Sequence, residues 1–450
     1  MKILSSEYVL PISSEPIEQG AVAIEADKII AVGRSDEIKR KFPNAGFEDF
    51  GEAVITPGFV NCHSHLELTI MRGFLDDVED NFFKWLLKLA VTRDQKLTPE
   101  EIEISALLGA LEGARSGVTC FGDIGRFGRA GFGALKKTGL RGVVFQETEF
   151  SPYNENAVQD FAKLEEKFLA LKSDETKLVK AGISPHAPYT VSRNLFELIT
   201  DYSLAEDIKI SIHAAESHLE EELMIHNRGA MAEFYREREI YWTPPGTSSI
   251  EYLAEIGVLQ AKPLLAHCIR TNEKDWELIA ENGASIAHCP KSNAKFGHQT
   301  APLEKFFDNG LRVGLGSDSV ASNNTCDLLE EGRFAALVAR SRDDKKRLLN
   351  AKEIIETMTI GGAKAMQLEN EIGSIEVGKQ ADLAVISLKN IAQQPIHDIY
   401  SAILFASTSR DIILTMVAGE EIYRDGASKT IDENELKTQV KQIAQKMQDG

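Results

Sequence analysis

The chain has 450 residues, 43% of them hydrophobic, enough to bury a large core and to fill two or three domains unless one barrel absorbs most of it. Its net charge of −19, with acidic and basic residues intermixed, argues against nucleic acid or anionic membrane as partners and suits a small-molecule substrate. Five cysteines form no Cys-x-x-Cys pair, and neither a signal-like N-terminus nor an uncharged run of about 18 residues occurs, so free thiols and a cytoplasmic location are expected.

Residues 1–57 alternate short apolar runs with turn residues such as Gly20 and Gly33, the pattern of antiparallel strands. From 58 to 366 apolar strands are separated by longer amphipathic segments, the pattern of repeated βα units. The eight predicted strands are Phe59–Cys62, Val118–Phe121, Gly142–Gln146, Val179–Ser184, Ile208–His213, Pro263–His267, Ala284–His288 and Val313–Gly316. Helices are predicted between them, among them Thr98 to Ser116 and Ala351 to Met366. Eight parallel strands each followed by a helix spell a (β/α)8 TIM-type barrel, whose chemistry gathers at the C-terminal ends of the strands. An open doubly wound sheet is the alternative. Residues 367–430 return to strand-and-turn writing and, with 1–57, are expected to build a small composite β-sandwich domain. The tail, 431–450, contains a polar helix predicted from Ile431 to Met447 and expected to be solvated.

The pair His63 and His65 ends the first barrel strand. Residues two apart on a strand share a face, so both rings reach one point. A lone His-x-His is more often an ordinary strand end, so the other strand ends decide. Strand four ends at His186, strand five at His213, strand six at His267, strand seven at His288 and strand eight at Asp318. Three imidazoles and a carboxylate, His63, His65, His213 and Asp318, suit one divalent ion, zinc or else ferrous iron, with a position open for water. Such coordination lowers the pKa of that water toward about 7. Glu216, just past His213, is placed to shuttle a proton to a leaving nitrogen, and His267 to hold the nucleophile or polarise the substrate. His218, His226, His298 and His397 fall in polar helices or loops and are read as structural. Trp85, within Phe82-Phe83-Lys84-Trp85-Leu86-Leu87, reads as part of a buried helix or lid more readily than as a base-stacking platform.

These residues lie in phrases that resemble the amidohydrolase superfamily, in its branch of mononuclear aminohydrolases and triazine chlorohydrolases. The phrases are Pro57-Gly58-Phe59-Val60-Asn61 before His63-Ser64-His65, Ser184-Pro185-His186-Ala187-Pro188-Tyr189, His213-Ala214-Ala215-Glu216, Ala266-His267-Cys268, His288-Cys289-Pro290-Lys291-Ser292-Asn293 and Gly316-Ser317-Asp318. The resemblance implies metal ligation by His63, His65, His213 and Asp318, and catalysis by Glu216, His267 and Asp318. It implies a substrate-contacting role for His186, with Trp85, Arg93, Ser292 and Asn293 completing the expected substrate-binding set. His186 stands where dinuclear relatives carry a lysine, which implies one metal. Dimers are common in the family, so the resemblance is compatible with a homodimer. Deamination of a 6-aminopurine nucleoside is the implied activity, with an aminodeoxyfutalosine-like substrate favoured by local phrases such as His65-Leu66-Glu67-Leu68, Pro244-Pro245-Gly246-Thr247-Ser248 and Asp318-Ser319-Val320-Ala321-Ser322-Asn323, and because Arg93 falls where a carboxylate could be gripped. Methylthioadenosine, adenosylhomocysteine or guanine deamination and s-triazine amino- or chlorohydrolysis are alternatives. A non-catalytic binding protein is the alternative of another class, and its mark would be a lost ligand.

Overall fold

The computed structural model describes residues 1–343 and 347–449. The eight barrel strands are β1 (Phe59–Ser64), β2 (Val118–Gly125), β3 (Arg141–Glu147), β4 (Val179–Ser184), β5 (Ser211–Ala214), β6 (Leu264–His267), β7 (Ser285–His288) and β8 (Arg312–Leu315). Each overlaps its predicted position. β1 to β4 pair in order as one parallel sheet and β5 to β8 as another. Every residue of β2 and β3 is buried, which is why these strands read as continuous apolar runs without alternation.

The two sheets meet at both seams through single parallel bridges, Ile183 with Ile210 and Ser64 with Asp318, closing the ring of eight. At the first seam Ile183 N–H donates to the Lys209 carbonyl (3.0 Å), and at the second Asp318 N–H donates to the His63 carbonyl (2.9 Å). The second seam requires Gly316, because a Cβ there would meet the His63 Cβ at 2.7 Å and the His63 carbonyl oxygen at 2.9 Å. The barrel therefore closes through the very residues expected to hold the metal.

Helix α1 (Phe82–Lys96) packs Phe82 and Trp85 against Phe296 and pairs Arg93 with Glu67, and α2 (Pro99–Arg115) follows it. α2 starts where the sequence says it should: Thr98 and Glu101 form a reciprocal capping box, and Pro99 occupies the first turn. The predicted helix Ala351 to Met366 is interrupted by a π turn at Thr357–Gly361. There the Thr357 and Thr359 hydroxyls donate back to the carbonyls of Glu353 and Ile355, a pattern that bends helices.

Both chain ends enter one nine-stranded sheet, joined where Ala53–Pro57 runs antiparallel to Leu383–Ser387. Hydrogen bonding thus links these strands continuously. Leu4, Val22, Ile55, Leu383 and Leu414 build a core on it. The terminal helix α3 (Glu433–Asp449) corrects the expectation of a solvated tail, because Leu436, Ile443 and Met447 are buried. Lys446 Nζ pairs with Glu101 at 2.8 Å and Arg115 with Glu433 at 2.7 Å, tying the helix to α2. All five cysteines are free and buried. Among the described residues no helix is long and apolar enough to cross a membrane.

Candidate active site

The strand ends bring the predicted ligands together. His65 Nε2 lies 3.2 Å from His213 Nε2, and Asp318 Oδ1 lies 3.5 Å from His63 Nε2 and 3.7 Å from His65 Nε2. The outer ring nitrogens are engaged elsewhere, His65 Nδ1 with the Ile124 carbonyl (3.0 Å) and His213 Nδ1 with the His186 carbonyl (2.9 Å). A carbonyl only accepts, so each Nδ1 carries the hydrogen and each Nε2 turns a lone pair to the centre. His63 is completely buried with neither ring nitrogen hydrogen-bonded, and a metal would give its Nε2, which faces the cluster, the partner it lacks.

Electrostatics agree. Burial pushes His63 down to about 4 and His65 to about 3, and it lowers His213 as well, so these rings are neutral at physiological pH. Burial alone would raise Asp318, but His63, His267 and His65 around it outweigh that and hold it well below the usual carboxylate range. Neutral imidazoles around an ionised carboxylate are the donor set that zinc or ferrous iron takes. Asp318 and His267 both have left-handed backbones, φ 57° and 74°, so strain is concentrated where these side chains leave their strands.

Glu216 and His267 face each other across the same space, with Oε1 and Nε2 3.7 Å apart. Glu216 is pushed well above the ordinary carboxylate range by burial, with Asp318 and Glu220 adding to the effect. A buried acid with a raised pKa can both take and deliver a proton. Its loop is held by Glu220, whose carboxylate accepts from Ala215 N–H and Glu216 N–H, both at 2.8 Å, and from the Ser249 hydroxyl. Glu220 is absent from the sequence reading. Its signal is the spacing Ser217-x-x-Glu220, which suggests a capping box in which Glu220 would return to Ser217 N–H, whereas it reaches the two residues before.

Four of the five residues expected to bind substrate are engaged by neighbouring protein groups. Ser292 is fully buried and donates to Asp318 Oδ2 at 2.6 Å, while Asn293 Oδ1 receives His267 Nδ1–H at 3.0 Å. Both orient site residues through these bonds, from the helix that starts at Pro290. Arg93 is enclosed between Glu67 (3.4 Å) and Asp94 (2.9 Å), and an arginine so paired is not free for a substrate carboxylate. Trp85 is buried in α1 against Phe82 and Phe296, so it anchors that helix. His186 keeps its expected place: Nδ1 meets Thr190 Oγ1 at 2.7 Å, and its ring lies 4.9 Å from that of His213. A second residue outside the sequence reading, Glu147 at the end of β3, clusters with His186 and His213.

A closed ring of parallel strands with neutral imidazoles, a carboxylate and a buried acid at their C-terminal ends defines a hydrolase site. The chain belongs to the amidohydrolase family, whose model matches residues 54–422, and it is a hydrolase of non-peptide C–N bonds. It is 32% identical to a 5-methylthioadenosine/S-adenosylhomocysteine deaminase of Thermodesulfovibrio yellowstonii, over 96% of each chain. Among solved structures it resembles an adenosine deaminase from Xanthomonas campestris with bound zinc, at TM-score 0.87 and 25% identity, covering 100% of this chain and 99% of the other. The fold also matches a Helicobacter pylori aminofutalosine deaminase in complex with methylthio-coformycin, at TM-score 0.77 and 23% identity, over 94% and 100% of the two chains.

Proposed function

We propose that this chain is a metal-dependent aminohydrolase that removes the 6-amino group of an adenosine derivative, with methylthioadenosine or adenosylhomocysteine as the favoured substrates. The observation that carries this reading is the approach of Glu216 to His267 beside the His63, His65, His213 and Asp318 cluster. A divalent ion held by these four residues, zinc or else ferrous iron, supplies a water-derived nucleophile at neutral pH. Glu216 takes the proton of the attacking water and delivers it to the departing nitrogen, so water adds at C6 and ammonia leaves. Asn293 turns His267 Nε2 inward, where it orients the nucleophile. A leaving amine needs that proton whereas a leaving chloride does not, so Glu216 favours deamination over dechlorination. The carboxylate-grip argument for aminodeoxyfutalosine is weakened by the pairing of Arg93 with Glu67 and Asp94.

The test is metal content and ammonia release with zinc-loaded protein and a panel of methylthioadenosine, adenosylhomocysteine, adenosine, aminodeoxyfutalosine, guanine and a chlorinated triazine. Turnover of an adenosine derivative that collapses in Glu216→Gln is expected. A metal-loaded protein silent on every 6-aminopurine nucleoside would overturn the proposal.

A further inference from the structure

Helix α1 touches three separate parts of the barrel mouth. Its Asp94 lies 3.8 Å from Arg126, just past β2. Its Phe83 meets Phe234 edge to face, with ring centres 5.3 Å apart, in the helix Ala230–Glu237 that follows β5. Its Phe82 and Trp85 meet Phe296, past β7, at 5.0 and 4.9 Å. No half of the ring of eight contains β2, β5 and β7 together, so the segments after β1 and β5 join above the strand ends. Beneath that cover Glu216, His267 and Asp318 are 6%, 1% and 7% exposed. A substrate reaches such groups only when the cover parts, and closing again excludes water from the reaction.

The two sides of the cover are unequally held. α1 is fixed by the buried Trp85 and by the buried pair of Arg93 with Glu67. The helix Ala230–Glu237 is held by ring edges, Phe234 on Phe83 and on Phe150 (6.2 Å), and by the Tyr235 hydroxyl, which donates to the Tyr189 carbonyl. Gly229 and Gly246 bound this segment, with φ 86° and 76°. A Cβ at Gly246 would meet nothing within 4 Å, and one at Gly229 only the Glu222 Cβ at 3.8 Å, so both positions call for glycine by backbone conformation and not by space. Between the helix and Gly246 the chain forms neither helix nor strand. The base of the segment is pinned, because Gly246 N–H donates to the Met224 carbonyl at 3.0 Å and the Ser249 hydroxyl to Glu220. We infer that residues 229–246 are a hinged flap that closes on α1 through Phe83 and Phe234 and swings away from it to admit substrate and release product. The pinned base keeps Glu216 in place while the flap moves. The inference rests on the proposed deamination only for its probe.

The experiment joins Phe83→Cys to Phe234→Cys with a short bismaleimide in the zinc-loaded protein, whose five native thiols are buried. On methylthioadenosine or adenosine the cross-linked protein is expected to lose at least about tenfold in kcat/KM against its unlinked control, because entry requires the flap to move. Phe234→Ala and Tyr235→Phe should each speed release of the same nucleoside from Glu216→Gln, read by stopped flow, by roughly 2- to 12-fold, the equilibrium range of one aromatic pair or one hydrogen bond, with metal content unchanged. Phe83→Ala combined with Phe234→Ala should release no faster than Phe234→Ala alone, because both remove one contact. A cross-linked protein within about twofold of its control, or fully additive effects of the two alanines, would overturn the inference. A parent silent on all nucleosides would overturn the proposed function instead. The flap is then judged by the rate at which a chelator strips zinc, which the cross-link should slow, and an unchanged rate would overturn it.

Discussion

Replacing Glu220 with alanine removes the acceptor for two buried amides at once. Ala215 N–H and Glu216 N–H each donate to its carboxylate at 2.8 Å, and the Ser249 hydroxyl shares it. A buried donor left unsatisfied costs about 1–3 kcal/mol, so two amides give about 2–6 kcal/mol of lost stability. A water admitted to the vacated space would bring the loss toward the lower figure. The functional effect is larger than this local loss suggests, because the loop carries the proton-transferring Glu216 and misplacing such a group by about 1 Å costs about 100-fold in rate. Urea unfolding, metal analysis and kcat on the preferred nucleoside are the assays. The expected outcome is a lowered unfolding midpoint, a large fall in kcat and unchanged metal content, with Glu220→Gln intermediate because its amide keeps one acceptor oxygen. An alanine variant with an unchanged midpoint and kcat within about twofold of the parent would refute the claim that Glu220 holds Glu216 in place.

Ser292→Ala should weaken metal affinity by about 10- to 100-fold, because its hydroxyl supports Asp318, and leave KM unchanged at saturating metal. A raised KM with normal metal affinity would return Ser292 to the substrate pocket. Arg93→Ala should lose stability in denaturant unfolding by leaving the Glu67 charge without its cation, toward the lower end of about 3–5 kcal/mol because the Arg126 and Phe127 amides still donate to it, and normal stability would contradict the buried pairing. Burial raises Asp123 to about 8, although Leu66 N–H and the Ser64 hydroxyl both donate to it. The folded chain thus keeps a proton that the unfolded chain releases near pH 4, so this group's stabilisation is full below about pH 4 and is lost as pH rises toward 8. Unfolding free energies of the parent should therefore fall relative to Asp123→Asn across that window, and parallel curves would refute the protonated state.

What the sequence made legible is whatever depends on position along a strand. Parallel strands buried on both sides leave continuous apolar runs, and the residue after each run is at the barrel mouth, which is why His63, His65, His186, His213, His267 and Asp318 could be named together. What it hid depends on the direction a side chain takes across the fold. Ser292 and Asn293 follow β7 in the chain, but only the turn into the next helix brings them to Asp318 and His267. Arg93 meets a Glu67 26 residues away, a pairing no local pattern carries. Glu147 and Gln146 end β3 side by side. Gln146 turns out to the Arg126 carbonyl (2.9 Å) and Glu147 turns to the histidines, so the phase of one strand decides which meets the site. In the tail, Leu436, Val440, Ile443 and Met447 already form a helical stripe, and the polar residues between them conceal an apolar face that docks.

The barrel's second seam carries the site's strongest link between fold and function. Between β1 and the end of β8 it has one bridge, Ser64 with Asp318, and the Asp318 N–H to His63 carbonyl bond. His63 and His65 stand on one side and Asp318 on the other, so a metal held by all three is a cross-link across the closure as well as a reactive centre. Binding of such an ion to the folded chain alone stabilises by mass action, about 4 kcal/mol when the free ion is at a thousand times its dissociation constant. Chelation should therefore lower the thermal midpoint, and zinc should restore it in the parent but not in Asp318→Ala, which removes one bank of the seam. Calorimetry of the parent with and without chelator is the assay. Equal midpoints despite a full equivalent of bound metal would mean that the seam is rigid without the ion and that His63, His65 and Asp318 meet for other reasons.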